Sequence, residues 1–391
     1  MLHLVLFRVN FATVFKQKIM TITSVLIVGS GPAGIGVASL LSQTGIDYVV
    51  LEKNDIGSSF TDWPKNMEMI TPSFPSNAFG QIDLNSICEG TSPAFTFSKE
   101  HLTGDEYTDY LKLVSNFFQI NVETGTEVIE VKQQKKGWRV ETNQGPYSAN
   151  YVIWAAGEFK NPQIKNIKGA ELCIHSSYVR HPERVEGDHF VIIGGYESGV
   201  QLAYDLVQNQ KEVTLIDPEV INDTNTSDPS KSLSPYTCTK YNKIQNSPLY
   251  SEVVGEVSTV SKKDGVYQLE LDDESVITTE RIPICATGFS LVDEPIKDLI
   301  SYRKNGTPIL IEETDEFFGQ ENLYLTGPSV RHDDHIFCFI YKFRQRFGVI
   351  VEDIMRKEDY KEEDITKLVE RWKVNGMYLS DLSCCDTECV C

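Results

Sequence analysis

Apolar residues along this chain fall into short dense runs separated by glycine and polar clusters, and two runs open the same kind of unit. Ser24-Val25-Leu26-Ile27-Val28 is apolar and β-branched, the pattern of a parallel strand buried on both faces. Gly29-Ser30-Gly31-Pro32-Ala33-Gly34 follows, residues 35–43 read as a helix, and 47–52 as a second strand ending in an acid. The order recurs later. A strand over 189–193 leads into Gly194-Gly195-Tyr196-Glu197-Ser198-Gly199, then a helix over 200–208 and a strand over 213–217. Glu52 lies 23 residues after Gly29, and Asp217 lies 23 after Gly194. No other internal repeat is apparent.

Between the units, residues 103–118 predict a helix with Tyr107, Tyr110, Leu111 and Val114 on its core face. Stretches 122–131, 137–142 and 147–154 alternate like antiparallel strands. Residues 221–248 are rich in Asn, Asp, Ser, Thr and Pro and predict a long surface loop. Further strands are expected at 253–260, 267–271 and 281–285. Trp154-Ala155-Ala156-Gly157 and Cys285-Ala286-Thr287-Gly288 both end a strand in small residues, where a cofactor could approach. The stretch 337–347 predicts a core-facing helix whose Arg344 and Arg346 meet carboxylates or a cofactor phosphate.

Length and charge narrow the classes. The chain has 391 residues, enough for two or three domains. Lys and Arg number 36 against 56 Asp and Glu, a formal charge of -20, which argues against binding nucleic acid. No run of 18 uncharged apolar residues exists, so no integral membrane segment is expected. Residues 1–21 read as an N-terminal extension, with Met20 an alternative start. Cys88, Cys173, Cys238, Cys285 and Cys338 are scattered, as in a reducing cytoplasm. Cys384, Cys385, Cys389 and Cys391 crowd the last eight residues, a spacing suited to soft metal ions or thiol exchange.

The glycine runs carry the clearest chemistry. Gly29 permits a sharp turn, Gly31 lets the backbone approach a pyrophosphate, and Gly34 lets the helix pack on its strand. The helix starting near Pro32 and Ala33 aims its positive end at phosphates. Glu52 suits the hydroxyls of an adenosine ribose. In the second unit Gly194, Gly195, Glu197, Ser198 and Gly199 keep most of the pattern, but Tyr196 stands where the second glycine belongs. Asp217 suits a free 2'-hydroxyl and favours NADH over NADPH. Two dinucleotide units in one chain imply FAD in one and a nicotinamide donor in the other.

This arrangement resembles the two-dinucleotide-binding flavoproteins, and within them the bacterial flavin-containing monooxygenase-like proteins related to pyridine nucleotide-disulfide oxidoreductases. The resemblance covers about residues 22–391. It rests on both glycine motifs, residues 57–64, Met69-Ile70-Thr71-Pro72-Ser73, Ala286-Thr287-Gly288, Asn322 to Pro328 and Phe343-Arg344-Gln345-Arg346-Phe347. It implies an α/β fold of two Rossmann-like domains. The NAD(P)H domain, 158–285, would be inserted into a discontinuous FAD domain, 22–157 with 286–391. Glu52 and Lys53 would bind adenosine ribose. Ser59 and Trp63 would lie near the flavin ring, Val128, Ala156 and Gly157 near FAD, Thr287 and Gly288 at the domain junction, and Gly327 near the ribityl chain.

The chain also departs from the monooxygenase pattern. Pro72 follows Thr71 where that family has an Asn, and Asn77 is the nearest Asn. Gly169, His175 and Tyr178 occur at altered spacing. Candidate catalytic residues are Trp63, Asn77, Cys384 and Cys385. No Cys lies between Glu52 and Ser73, and Cys173, Cys238 and Cys285 look isolated, so the dithiol of disulfide reductases is not expected inside the chain. The Leu382-Ser383-Cys384-Cys385 end resembles the vicinal pair of mercuric reductases. The resemblance therefore implies monooxygenation of a small molecule. The alternatives are a thiol, disulfide or soft-metal reductase using the tail, and a non-enzymatic flavin- or metal-binding partner of a metal-efflux system. A homodimer is expected by analogy with the family.

Overall fold

β1 (Thr21–Val28) and β2 (Tyr48–Leu51) pair in parallel around α1 (Pro32–Leu41), as the first run of apolar residues predicts. The computed structural model describes residues 20–74, 82–164, 167–221, 230–291 and 294–382. The N-terminal extension before Met20, Asn77 and the four tail cysteines lie outside the described residues.

The first sheet has seven strands in the order β3 (Val122–Glu123), β2, β1, β6 (Gly145–Trp154), β5 (Trp138–Thr142) and β4 (Val128–Gln133), with β15 (Leu323–Leu325) also on β6. β6 pairs in parallel with β1 and antiparallel with β5. Its last three residues, Val152 to Trp154, pair in parallel with β15. Residues 122–131, expected as one strand, divide into β3, parallel to β2, and β4, antiparallel to β5. A short helix α2 (Ser58–Thr61) follows β2, and α3 (Pro93–Phe97) precedes α4 (Gly104–Phe117). Thr103 and Glu106 cap α4 reciprocally, and Tyr107, Tyr110, Leu111 and Val114 are its buried face, as its periodicity predicts.

The second sheet lies in sequence between β6 and β15. Its order is β10 (Tyr250–Val254), β9 (Glu212–Asp217), β8 (His189–Ile193), β14 (Ile284–Cys285) and β7 (Ile174–His175), all parallel. Helix α5 (Glu197–Gln208) joins β8 to β9. A three-stranded antiparallel sheet adds β11 (Val257–Lys263), β12 (Val266–Leu271) and β13 (Val276–Thr279). The fold is thus mixed α/β with two Rossmann-like sheets, the first mixed and the second all parallel.

Three expectations need correction. The stretch 221–248 contains a helix, α6 (Pro235–Ile244), started by Ser234, whose hydroxyl accepts from the Thr237 amide, and by Pro235 in the first turn. The strand expected over 253–260 is broken at Gly255 into β10 and β11, which belong to different sheets. The helix expected over 337–347 is shorter: α7 (Ile340–Phe343) tightens into a 3-10 turn at Arg344–Arg346 before α8 (Phe347–Lys357). A final helix, α9 (Glu362–Val374), packs on α8.

The two arginines of that turn are both buried. Arg346 forms a charged pair with Asp315 (Nη2 to Oδ1, 2.8 Å), and His332 Nε2 lies 2.6 Å from the same oxygen. Among the described residues Arg344 has no carboxylate partner; its Nη1 donates to the carbonyls of Asp83 and Ser86 at 2.5 and 2.8 Å. Burial pulls its guanidinium down to about 10. His332 and His335 sit on a two-stranded hairpin, and no group of three His, Cys, Asp or Glu among the described residues could hold a metal. No helix among the described residues is long and apolar enough to cross a membrane.

Candidate functional site

The first glycine turn is built by contact. Gly29 has φ +103°, its amide donates to Leu51 O at 2.8 Å, and a Cβ there would lie 2.6 Å from Ala155 O. A Cβ on Gly34 would lie 1.9 Å from Gly29 O, so α1 could not sit this close with any side chain. Gly31 differs: a Cβ there would meet nothing within 4 Å. That open space faces the cavity that Gly31 lines. Gly31 is the N-cap of α1, with no side-chain cap and no acid in the first turn, so free amide donors and the positive end of the dipole face the opening.

Glu52 is 7% exposed and held on both carboxylate oxygens. Oε2 accepts from the Ser30 amide and hydroxyl at 2.9 and 2.8 Å, and Oε1 from the Asn54 amide at 2.8 Å. The acid is positioned before any ligand arrives.

These groups open into a cavity of about 930 Å³. Gly29, Gly31, Pro32, Ala33, Glu52, Lys53, Ser59, Trp63, Val128, Ala156 and Gly157 all line it. Lys53 Nζ pairs with Glu127 at 2.6 Å. Beyond the turn the wall becomes aromatic, with Phe60 and Trp63 in contact at 4.6 Å between ring centroids and Phe159, Phe289, Phe339 and Phe343 further on. Gly34, Gly327, Thr287 and Gly288 do not line it, although Pro328, next to Gly327, and Phe289, next to Gly288, do. Gly327 stands behind Ala33, where a Cβ would meet the Ala33 Cβ at 3.3 Å.

The cavity also contains a residue the sequence did not single out. Asn85 is fully buried on the wall, and its Nδ2 donates to Thr71 O and Ser73 Oγ, each at 2.8 Å. Those two bonds fix the amide orientation and leave Oδ1 without a partner among the described residues. An unpaired buried carbonyl is costly, so this atom marks a place for a donor on a bound group. Its only sequence signal is an Asx turn, in which the Asn85 amide donates to Asp83 Oδ1 at 3.0 Å.

Two further groups line the wall nearer the second unit. Glu158 accepts from Ser329 Oγ at 3.0 Å, and burial raises its carboxyl above the usual range despite nearby Arg331. Cys338 Sγ lies 3.3 Å from Ser230 Oγ, and burial raises its thiol, which disfavours the thiolate.

The second glycine turn repeats the first almost atom for atom. Gly194 has φ +105°, and a Cβ would lie 2.5 Å from Ala286 O; a Cβ on Gly199 would lie 1.8 Å from Gly194 O. Asp217 Oδ2 accepts from the Gly195 amide at 2.6 Å, as Glu52 does from Ser30. The opening itself is different. Tyr196 occupies the place matching Gly31, with its hydroxyl donating to Ser232 O at 2.6 Å. Glu197 accepts from the Ser234 amide at 2.5 Å and from the Ser234 and Thr237 hydroxyls, tying α5 to the start of α6. Burial raises the Glu197 carboxyl. Ile221 closes on Gly195, its Cδ1 only 2.8 Å from where a Cβ would be. Gly194, Gly195, Ser198, Gly199 and Asp217 therefore stay behind the wall, while Tyr196 and Glu197 face the same cavity as Gly31 and Trp63.

His175, expected beside Gly169 and Tyr178, bonds through Nε2 to Gly288 O at 3.0 Å, and burial lowers its imidazole. Tyr178 is exposed. These three form no shared site on the cavity wall.

Comparison with known proteins agrees with this geometry. The family described as pyridine nucleotide-disulphide oxidoreductase matches residues 26–327. An uncharacterized oxidoreductase, CzcO-like, of Geobacillus kaustophilus is 26% identical over 195 residues, 49% of this chain and 53% of that protein. The chain spans about half the length of the curated relatives it matches first. The bacillithiol disulfide reductase Bdr (YpdA) from Staphylococcus aureus superposes with a TM-score of 0.72 at 21% identity, over 87% of this chain and 100% of that one. A flavin-containing monooxygenase from Stenotrophomonas maltophilia superposes at 0.68 and 16% identity, over 86% and 99%. With strand–glycine–helix–acid units at Gly29 and Gly194 and a match over most of its length, the chain belongs to the pyridine nucleotide-disulphide oxidoreductase family.

Proposed function

We propose that the protein is an FAD-dependent oxidoreductase that draws hydride from NAD(P)H and uses it to oxygenate a small molecule. The observation that carries this reading is one cavity lined by the termini of both glycine-motif helices. FAD, when bound, supplies the two-electron relay between nicotinamide and acceptor. Residues 22–157 with 286–391 form its binding domain in this reading, and 158–285 the NAD(P)H domain.

The chain's own residues divide the work. Gly31 and the α1 amides take the pyrophosphate, and Glu52, preset by Ser30 and Asn54, takes the adenosine ribose. Asn85 Oδ1 accepts from an N–H of the bound ring system. Trp63, Phe60, Phe159 and Phe289 exclude water from the far end. Asp217, held by Gly195 and Glu219 amides, takes the adenosine ribose of the nicotinamide dinucleotide, where it would repel a 2'-phosphate and so favours NADH. Tyr196 must turn aside for a dinucleotide to lie on α5.

Oxygen is the preferred acceptor because the only cysteine among the described residues on the cavity wall is Cys338, whose burial opposes thiolate formation. The second reading sends electrons to a thiol, disulfide or soft-metal acceptor through Cys384 and Cys385. The full-length superposition on a disulfide reductase fold keeps it in view. Steady-state NAD(P)H oxidation decides between them. In the oxygenase reading, turnover stops when oxygen is removed and resumes when it is admitted. Sustained anaerobic turnover with an added aromatic disulfide, lost on deleting residues 384–391, would replace the first reading by the second.

A further inference from the structure

Among the described residues, four carboxylates line the cavity: Glu52, Glu127, Glu158 and Glu197. Three of them are tied down. Glu52 accepts on both oxygens, from Ser30 and Asn54. Glu127 pairs with Lys53 at 2.6 Å. Glu197 accepts on both oxygens, from Ser234 and Thr237. Glu158 differs. Ser329 Oγ donates to its Oε2 at 3.0 Å, and among the described residues its Oε1 has no hydrogen-bond partner and the carboxyl no ion pair.

The backbone sets its place. Trp154, Ala155, Ala156 and Gly157 run off the end of β6 along the cavity wall, and Glu158 is next. Its carbonyl accepts from the Asn161 amide at 2.8 Å, which fixes the turn. The side chain therefore stands where the chain leaves the first sheet for the second, on the same wall as Phe159 and Cys338. The charged and titratable groups that face it are few. Arg331, on the two-stranded hairpin, spends Nη1 on the carbonyls of Pro328 and Val330 rather than on Glu158. Cys338 precedes α7, and Lys342 on α7 faces Cys338 and donates to Ser230 Oγ at 2.6 Å. A mostly buried carboxyl without a cation partner is costly as an anion, so it keeps its proton. Burial does hold the Glu158 carboxyl above its ordinary range.

Oxidation of NAD(P)H by a two-electron acceptor takes up a proton. In oxygenation, NAD(P)H, oxygen, substrate and one proton give the oxidised nucleotide, oxygenated substrate and water. In disulfide reduction, NAD(P)H, disulfide and one proton give the oxidised nucleotide and two thiols. We propose that Glu158 is the acid that delivers this proton. As the O–O bond breaks, one oxygen bonds to the substrate and the other leaves with the electron pair. The Glu158 O–H bond breaks and its proton goes to that leaving oxygen, which departs as water. With a disulfide acceptor the same proton goes to the leaving sulfur. The carboxylate left behind regains its proton from solvent through the cavity. This role rests on the reading of the site as an NAD(P)H-oxidising one, and it holds for either acceptor.

The test is the pH dependence of kcat for NADH oxidation by the FAD-bound full chain. Wild-type kcat should fall as pH rises through one ionisation above the ordinary carboxylate range. Glu158→Gln keeps the size of the side chain and an oxygen for Ser329, but has no proton to give. It should lose about 100-fold in kcat, and the pH-dependent limb with it. Ser329→Ala leaves the acid in place and should move the limb to higher pH, because the lost hydrogen bond favoured the carboxylate. An infrared titration of the resting protein reads the same proton without turnover. A protonated-carboxyl band at neutral pH is expected in the wild type and not in Glu158→Gln. A wild type that oxidises NADH with no such limb, or a limb that persists in Glu158→Gln, would overturn this proposal alone. So would a Glu158 already ionised at neutral pH. A wild type that oxidises no NADH with either acceptor would overturn the reading of the site and this role with it.

Discussion

Gly31 and Gly34 sit three residues apart in one turn and are glycine for opposite reasons. Gly34 has no room for a Cβ, whereas Gly31 has open space in front of it. Gly34→Ala should therefore disturb the fold, and Gly31→Val should fold and lose its ligand. For Gly31→Val we expect an unchanged melting temperature and FAD affinity lowered about tenfold or more, equivalent to at least about 1.4 kcal/mol, read by flavin content and fluorescence titration. Asn85→Ala removes an acceptor with no partner among the described residues. It should cost about 1 kcal/mol in stability from the lost Thr71 and Ser73 bonds, and at least about tenfold in kcat, by urea unfolding beside steady-state kinetics. An unchanged kcat would remove Asn85 from the site. Tyr196→Gly should restore the open turn and lower KM for NADH several-fold with little change in kcat. Glycine roles were legible because each follows from spacing along a single strand–helix turn. Asn85 was not, because its significance comes from partners 12 or more residues away, which no local pattern records.

At the scale of elements, α6 shows how composition misleads. Its segment is polar, and only Thr237, Lys240, Tyr241 and Ile244 are buried, so its one apolar stripe is thin. The stripe is enough because α5 supplies the other half of the contact: Lys240 Nζ donates to Gln201 Oε1 at 2.5 Å, beside Asp205, which accepts from Gln201 Nε2 at 2.9 Å. Burial raises the Asp205 carboxyl to about 6 from an ordinary 3.8. The sign follows. Below pH 3.8 the group is protonated folded or unfolded and stability is unaffected. Between 3.8 and 6 the folded state keeps a proton that the unfolded state releases, so stability falls as pH rises, and above 6 the full penalty of about 3 kcal/mol is present. Asp205→Asn should then stabilise the protein at pH 8 and not at pH 3.5, by up to that amount in denaturant midpoints. Asp315, Arg346 and His332 are all buried and paired with one another. Asp315→Ala strands the Arg346 charge and should cost about 3–5 kcal/mol. The broken strand at Gly255 escaped the sequence because valines recur on both sides of it, Val253 and Val254 before and Val257 and Val260 after; only pairing assigns β10 to the parallel sheet and β11 to the antiparallel one.

At the scale of the molecule, two Rossmann-like sheets present the N-termini of their glycine-motif helices to a single cavity. That much was legible from two strand–glycine–helix–acid repeats, because a dinucleotide turn dictates its own neighbours. The occlusion of the second opening by Tyr196, Glu197 and Ile221 was only half legible: the sequence named Tyr196, and the packing of α6 supplied the rest. The central claim is that both units serve one reaction across that cavity. Anaerobic titration of the purified FAD-bound protein with NADH and then NADPH, followed at the flavin absorbance band, tests it most directly. The account predicts full bleaching by about one equivalent of reduced nicotinamide per flavin, faster with NADH, and slowed in Asp217→Arg. A protein that holds FAD and stays fully oxidised under excess of both nucleotides would contradict it.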